Sequence, residues 1–313
     1  MSAPNPRAIP PIQPLEQVIA RAGEIVLGKP HALRLAFACL LARGHLLIED
    51  LPGVGKTTLA QVLARVLGLQ FKRIQFTNDL LPADIIGISI YQPESREFTF
   101  HPGPIFSQVL LADEINRATP KTQSALLESM EEHQATVDGV AHRLPEPFFV
   151  IATQNPHHLV GTFPLPESQL DRFLMRLTLG YPDRAAEREL LKGRDRRELL
   201  ESLKPALDGQ ALLAWQARVT EIHAADALLD YVQSLVEATR RSADFTEGLS
   251  PRAAMAWLRA ARAWALLAGR SMVLPEDVQA VAVSVIAHRL RPAKSGEPRD
   301  ALVERLVRSV PIP

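Results

Sequence analysis

Asp50-Leu51-Pro52-Gly53-Val54-Gly55-Lys56-Thr57-Thr58 is the stretch that decides the fold. Ahead of it, His45 to Glu49 is a short apolar run that reads as a buried parallel strand. Behind it, Leu59, Val62, Leu63, Val66 and Leu67 recur at helical spacing up to Gly68, the pattern of an amphipathic helix. Between strand and helix, a glycine-rich turn can point main-chain N–H groups inward at phosphate oxygens, and the helix N-terminus adds unpaired donors. Gly55-Lys56-Thr57 completes the Walker A pattern, although Asp50 stands where the strict pattern has its first glycine. In this context Pro52, Gly53, Val54, Gly55, Lys56, Thr57 and Thr58 are the expected phosphate cradle. Lys56 would reach the β- and γ-phosphates, and the Thr57 hydroxyl would ligate Mg²⁺.

Working outward, Val109-Leu110-Leu111-Ala112-Asp113-Glu114 is an apolar strand ending in two carboxylates, the Walker B arrangement. Asp113 would hold Mg²⁺ and Glu114 would polarise the attacking water. Further strands are expected at Phe71 to Phe76, Phe148 to Thr153 and Phe173 to Leu179, with helices between most of them. Strands alternating with helices imply an α/β fold with a parallel sheet covered on both faces. Two helices precede it, Leu15 to Leu27 and His31 to Arg43, with Gly28 and Gly44 as their stops. Two insertions interrupt the pattern. Residues 79–104 hold a short helical piece and two strand-like pieces, and residues 134–144 read as a hairpin turning at Asp138-Gly139.

After Tyr181-Pro182 the strands stop. Residues 183–208 read as a helix and a linker, with a charge run at 194–198 expected to be a solvated face. The domains are therefore a proline-rich flexible arm at 1–14, a nucleotide-binding α/β domain at 15–182, and a linker with an all-α domain at 183–313.

Composition narrows the classes further. The 313 residues hold 35 Lys+Arg and 35 Asp+Glu, so no global charge draws the chain to nucleic acid or an anionic membrane. One cysteine forms no intramolecular disulfide. The proline-rich start has no secretory apolar segment, and no apolar run approaches the roughly 18 residues of a membrane span. A cytoplasmic location is expected. None of the four asparagines precedes a lysine, so the guanine-reading Asn-Lys-x-Asp motif is missing.

LADEINRA (111–118), PKTQSALLESMEE (120–132), IATQNP (151–156) and FPLPESQLDRF (163–173) together resemble the AAA+ ATPases, and within them the MoxR family. The resemblance runs from about residue 15 and is densest at 45–182. It implies a P-loop NTPase αβα core followed by an all-α lid, and a ring, usually a hexamer, that binds and hydrolyses ATP with Mg²⁺ between subunits. The family often lacks the first Walker A glycine. By the same resemblance Asn155 matches sensor 1, Arg172 the arginine finger offered to a neighbour's ATP, and Arg252 sensor 2 on the lid. Val26, Leu27 and Gly28 lie where such proteins line the adenine pocket. The partners implied are client proteins, typically with a von Willebrand factor A domain, that are remodelled or matured.

Physics bears on some of these roles independently. Ser250-Pro251 is a good cap pair, which puts Arg252 in a helix's first turn. A cation there opposes the helix dipole by about 0.3–1 kcal/mol, a loss that a bound phosphate offsets. Arg117 is a rival finger. His157-His158 has no further ligand at zinc spacing, Cys39 reads as core packing, and Glu131 and Glu132 read as solvated helix-end carboxylates. Phe98 and Phe100 either pack on the α/β domain or meet a client. Two other readings stand beside the hydrolase: a nucleotide-gated scaffold with little turnover, and a DNA-remodelling ring motor. His142 and Arg143 are the hairpin's only potentially basic residues, which argues against the motor.

Overall fold

The computed structural model describes residues 13–156, 161–193, 196–294 and 296–312. In chain order its elements are α1 (Gln13–Ile25), α2 (Pro30–Leu41), β1 (Leu46–Glu49), α3 (Lys56–Val66), β2 (Phe71–Gln75), α4 (Pro82–Ile86), β3 (Gly87–Gln92) and β4 (Glu97–Pro102). Next come β5 (Val109–Asp113), α5 (Pro120–Glu132), β6 (Gln134–Val137), β7 (Val140–Arg143), β8 (Phe149–Gln154), α6 (Glu167–Leu170) and β9 (Met175–Leu177). Helices alone follow: α7 (Arg184–Leu191), α8 (Arg196–Ser202), α9 (Gly209–Glu221), α10 (Asp226–Arg241), α11 (Pro251–Leu267), α12 (Pro275–Ile286) and α13 (Arg299–Ser309).

Five strands form one parallel sheet in the order β2-β5-β8-β1-β9. Period-two alternation assigns its faces. Leu46, Ile48, Val109, Leu111 and Ile151 pack in one apolar cluster with α1, α2 and α3, while Leu47, Leu110, Ala112, Val150 and Ala152 pack in another with α5. Both faces are therefore buried, which is why these strands read as unbroken apolar runs. The 134–144 insertion is the expected hairpin, β6–β7, and the two strand-like pieces of 79–104 pair as a second one, β3–β4, after the short helix α4. Asp138 and Gly139 both have positive φ, as a type I′ turn requires. Phe98 stays exposed against Tyr91, whereas Phe100 stacks at 3.9 Å on His142, so the two hairpins touch.

Two expectations are corrected. The residue that turns left-handed after α2 is Arg43, with φ 53°, and not Gly44. Gly44 is there for close approach, because a Cβ would sit 2.3 Å from Leu174. The stretch after α7 is not a plain linker but carries α8, whose Leu199 and Leu200 pack on the core beneath α3. Part of the 194–198 charge run, like His157 and His158, lies outside the described residues.

The C-terminal helices lean on the back of α2 rather than hanging free. Trp257 is fully buried and donates to the Val278 carbonyl, and Gln216 donates to the Leu40 carbonyl. Burying a side chain such as Trp257 is worth about 3–5 kcal/mol against alanine. Cys39 lies sealed in the same layer, its Sγ against the His45 carbonyl. Past α12, His288 and Arg289 reach the carbonyl of Phe173, and Arg289 also holds Asp171. That clamp fixes the 171–174 segment, where Arg172 and Asp171 meet the end of α5 and the first turn of α11.

Candidate functional site

β1, β5 and β8 run parallel, so their C-terminal ends share one edge of the sheet, where ligands of open α/β folds bind. At that edge β1 ends in the loop 50–55. Gly53 and Gly55 have φ of 82° and 97°, values that favour glycine, and a Cβ at either would meet open space. Gly55 caps α3 without a side chain, so the amides of its first turn have no helical acceptor.

Asp50 earns its place here. It is buried, and its carboxylate accepts from the amides of Leu51, Leu179 and Gly180 at 2.7, 2.5 and 2.6 Å. A glycine could not tie the loop to the chain leaving β9. The Lys56 ammonium donates to the Asp50 carbonyl at 2.6 Å. Burial lowers the Lys56 pKa, and the charges of Asp50, Asp113 and Glu114 act against that shift.

Asp113 is fixed from two sides. Arg73 donates to its Oδ2 at 2.7 Å, and the Thr153 hydroxyl donates to its Oδ1 at 2.5 Å. The Thr153 oxygen in turn accepts the Glu114 amide at 2.9 Å. Glu114 takes a left-handed backbone, φ 56°, which a non-glycine residue adopts at a cost of about 1–3 kcal/mol and which clusters at active sites. Its carboxylate lies 3.1 Å from Arg117 of the same chain. Arg73 and Thr153 escaped the sequence reading. Thr153, fully buried in an otherwise apolar strand, carried a usable signal, since a buried hydroxyl must find a partner.

Asn155 follows β8 directly, one residue beyond Gln154, whose carbonyl accepts the Asp50 amide. It lines a neighbouring cavity of about 480 Å³ with Gln154 and Arg176. Val26 and Leu27 do meet the loop, lining a cleft of about 230 Å³ with Gly53, Val54, Gly55 and Thr58. Pro182 and Leu190 of the following segment close it, and the sequence reading had neither. Gly28 is not on its wall. A Cβ there would lie 2.8 Å from Ala186, so glycine lets α7 approach.

Arg172 and Arg252 lie outside this cleft, on a second cavity of about 370 Å³. Glu131 joins them, with Oε2 3.0 Å from Arg172 and Oε1 2.9 Å from Arg252. Glu131 is therefore corrected: it is not a solvated helix-end carboxylate but the bridge between two arginines that local sequence could not connect. Asp171 pairs with Arg289 at 2.7 Å and lies 3.6 Å from Arg252. Arg43 and Arg259 complete a wall of five arginines against two carboxylates, and neither has an ion-pair partner among the described residues.

Mg²⁺ suits the donors present. Thr57 and Asp113 offer the hard oxygens it takes, beside a glycine cradle with room for phosphates. Among the described residues there is no group of three or more His, Cys, Asp or Glu that could hold a metal ion. No helix among them is long and apolar enough to cross a membrane.

Sheet order, loop and acidic pair define a P-loop nucleotide-binding protein of AAA type. Residues 45–175 match the model of the "ATPase family associated with various cellular activities (AAA)", and residues 237–306 match the "AAA lid domain". The chain is 44% identical to YeaC of Bacillus subtilis over 96% of this chain and 95% of that one. It is 41% identical to Chaperone MoxR1 of Mycobacterium tuberculosis, over 89% of this chain and 76% of that one. A crystal structure of a protein from Cytophaga hutchinsonii superposes with a TM-score of 0.89 at 35% identity, covering 96% of each chain. The chain belongs to the MoxR family of AAA+ ATPases.

Proposed function

We propose that this chain hydrolyses ATP to ADP and phosphate at the subunit interfaces of a ring, with residues 15–182 as its nucleotide-binding unit and 183–313 as its linker and lid. The observation that carries the reading is the separation of two half-sites. The phosphate loop and acidic pair lie at one sheet edge, while Arg172 and Arg252 point into a different cavity, held together by Glu131. A transition state that gathers charge on the γ-phosphoryl group needs both, and two copies placed head to tail supply both.

The loop amides and Lys56 bind the phosphates, and Val26 and Leu27 form the apolar wall for the base. Thr57 and Asp113 hold Mg²⁺, which neutralises phosphate charge when bound. Glu114, braced through Thr153, orients the attacking water, and Asn155 acts as sensor 1 from the adjoining cavity. Arg172 and Arg252 reach the neighbour's γ-phosphoryl. Arg117 is the weaker finger candidate, because it lies against the catalytic Glu114 of its own chain and not on the arginine cavity. Hydrolysis would drive remodelling or maturation of a client, such as a von Willebrand factor A domain protein, in the cytoplasm. The chaperone name of the mycobacterial relative supports this role.

Steady-state turnover and calorimetry of wild type and Glu114→Gln test the reading. The variant should bind ATP like wild type and lose turnover by about 10²-fold or more. Equal rates would remove Glu114 from the chemistry. Native mass spectrometry with ATP should show a closed ring, expected to be hexameric.

A further inference from the structure

Glu131 sits in the last turn of α5, where a carboxylate opposes the helix dipole, and Arg252 sits in the first turn of α11, where a cation does. Each charge is misplaced on its own helix, and they meet each other. We propose that Glu131 is a positioning residue that ties Arg172 and Arg252 into one two-pronged grip for the triphosphate of a neighbouring copy. The proposal rests on the interface reading above and deepens it.

The geometry is specific. One carboxylate oxygen serves each arginine, Nη2 of Arg172 and Nη1 of Arg252. A guanidinium carries five N–H donors, so each keeps several for a phosphate. Without the shared carboxylate, two like charges side by side would splay. Asp171 supports Arg252 from the Nε side, and Arg289, almost fully buried, braces Asp171 from below. Arg172 belongs to the α/β part and Arg252 to the helical part, so Glu131 also holds the two parts at a fixed spacing where the phosphate is expected. Arg43 and Arg259 leave the cavity with excess positive charge, which suits a polyanion more than a neutral group. Holding reactive groups in register is worth large factors, since a misplacement of about 1 Å can cost 10²-fold in rate.

The test uses full-length Glu131→Gln, Glu131→Asp, Arg172→Ala and Lys56→Ala, alone and in mixed rings, with assembly followed by sedimentation in ATP. Glu131→Gln should assemble and bind ATP normally, with kcat down about 10²-fold and KM within a factor of about two, and Glu131→Asp should recover part of the loss. Mixed with Lys56→Ala, which keeps an intact grip but a broken loop, Glu131→Gln should regain turnover. Mixed with Arg172→Ala, it should not. Wild-type turnover or faster in Glu131→Gln, loss of assembly, or rescue by both partners would each overturn the positioning role. Full turnover in Arg172→Ala would instead overturn the interface reading on which it rests.

Discussion

The phosphate loop and the arginine cavity are built in opposite ways. In the loop, consecutive residues would do the binding, mostly through main-chain amides with the Lys56 ammonium added, while Asp50 holds the loop's shape. In the cavity the main chain is a scaffold, and any binding capacity resides in side chains from α5, the 171–172 segment, α11 and the turn after α12. The first kind of site tolerates little change in backbone conformation. The second tolerates backbone change but depends on how the helical part is seated.

The largest effect that could break this contrast belongs to the cavity. Arg172→Ala should lower kcat by about 10³-fold with ATP affinity unchanged, read by steady-state kinetics beside calorimetry. A loss of affinity instead would mean that Arg172 serves its own subunit's nucleotide. Next, Lys56→Ala should weaken ATP binding by about 10²-fold by calorimetry while leaving the fold intact by circular dichroism, as expected where one ammonium serves a phosphate. Unchanged binding would show that the amides suffice.

A smaller effect sharpens the account of the loop. Asp50→Ala removes a buried carboxylate that accepts from three amides and should cost about 2 kcal/mol in urea unfolding. Asp50→Gly, which restores the strict motif, should fare no better, and a stable glycine variant would contradict the clip.

An effect of similar size, confined to acid pH, probes the floor of the cavity. His45 is buried, accepts the Val150 amide on Nδ1 at 3.0 Å, and its pKa is lowered to about 4, chiefly by burial. The unfolded chain, titrating near 6.5, binds more protons between those values. Stability is therefore full above about pH 6.5 and falls as the pH drops toward 4, by about 2 kcal/mol between pH 7 and 5. Burial also lowers His288, which acts in the same direction. Thermal melts of wild type and His45→Gln across that range should show a shallower slope in the variant.

How far the sequence could be read follows the same contrast. Residues 50–58 and 109–114 were legible because their chemistry is local: a turn between strand and helix, and an acidic end to an apolar strand. The parallel sheet was legible from runs such as Phe148 to Thr153. Glu131 was not, because nothing near it in the chain hints at Arg172 or Arg252; only the seating of α11 brings them together. Leu190 was hidden for the same reason, since α7 reaches the cleft only because Gly28 admits Ala186. Gly44 shows the converse error: a glycine after a helix looked like a stop, and the real demand was room for Leu174.

Cys39 is the chain's one thiol, it is buried, and burial pushes its pKa up, so slow labelling by maleimides is expected in the folded state. The wild-type protein is thus a blank background for spectroscopy. A cysteine engineered beside either half-site would carry the sole fluorophore or spin label, and the spacing between copies could be followed through a turnover cycle without first stripping native thiols.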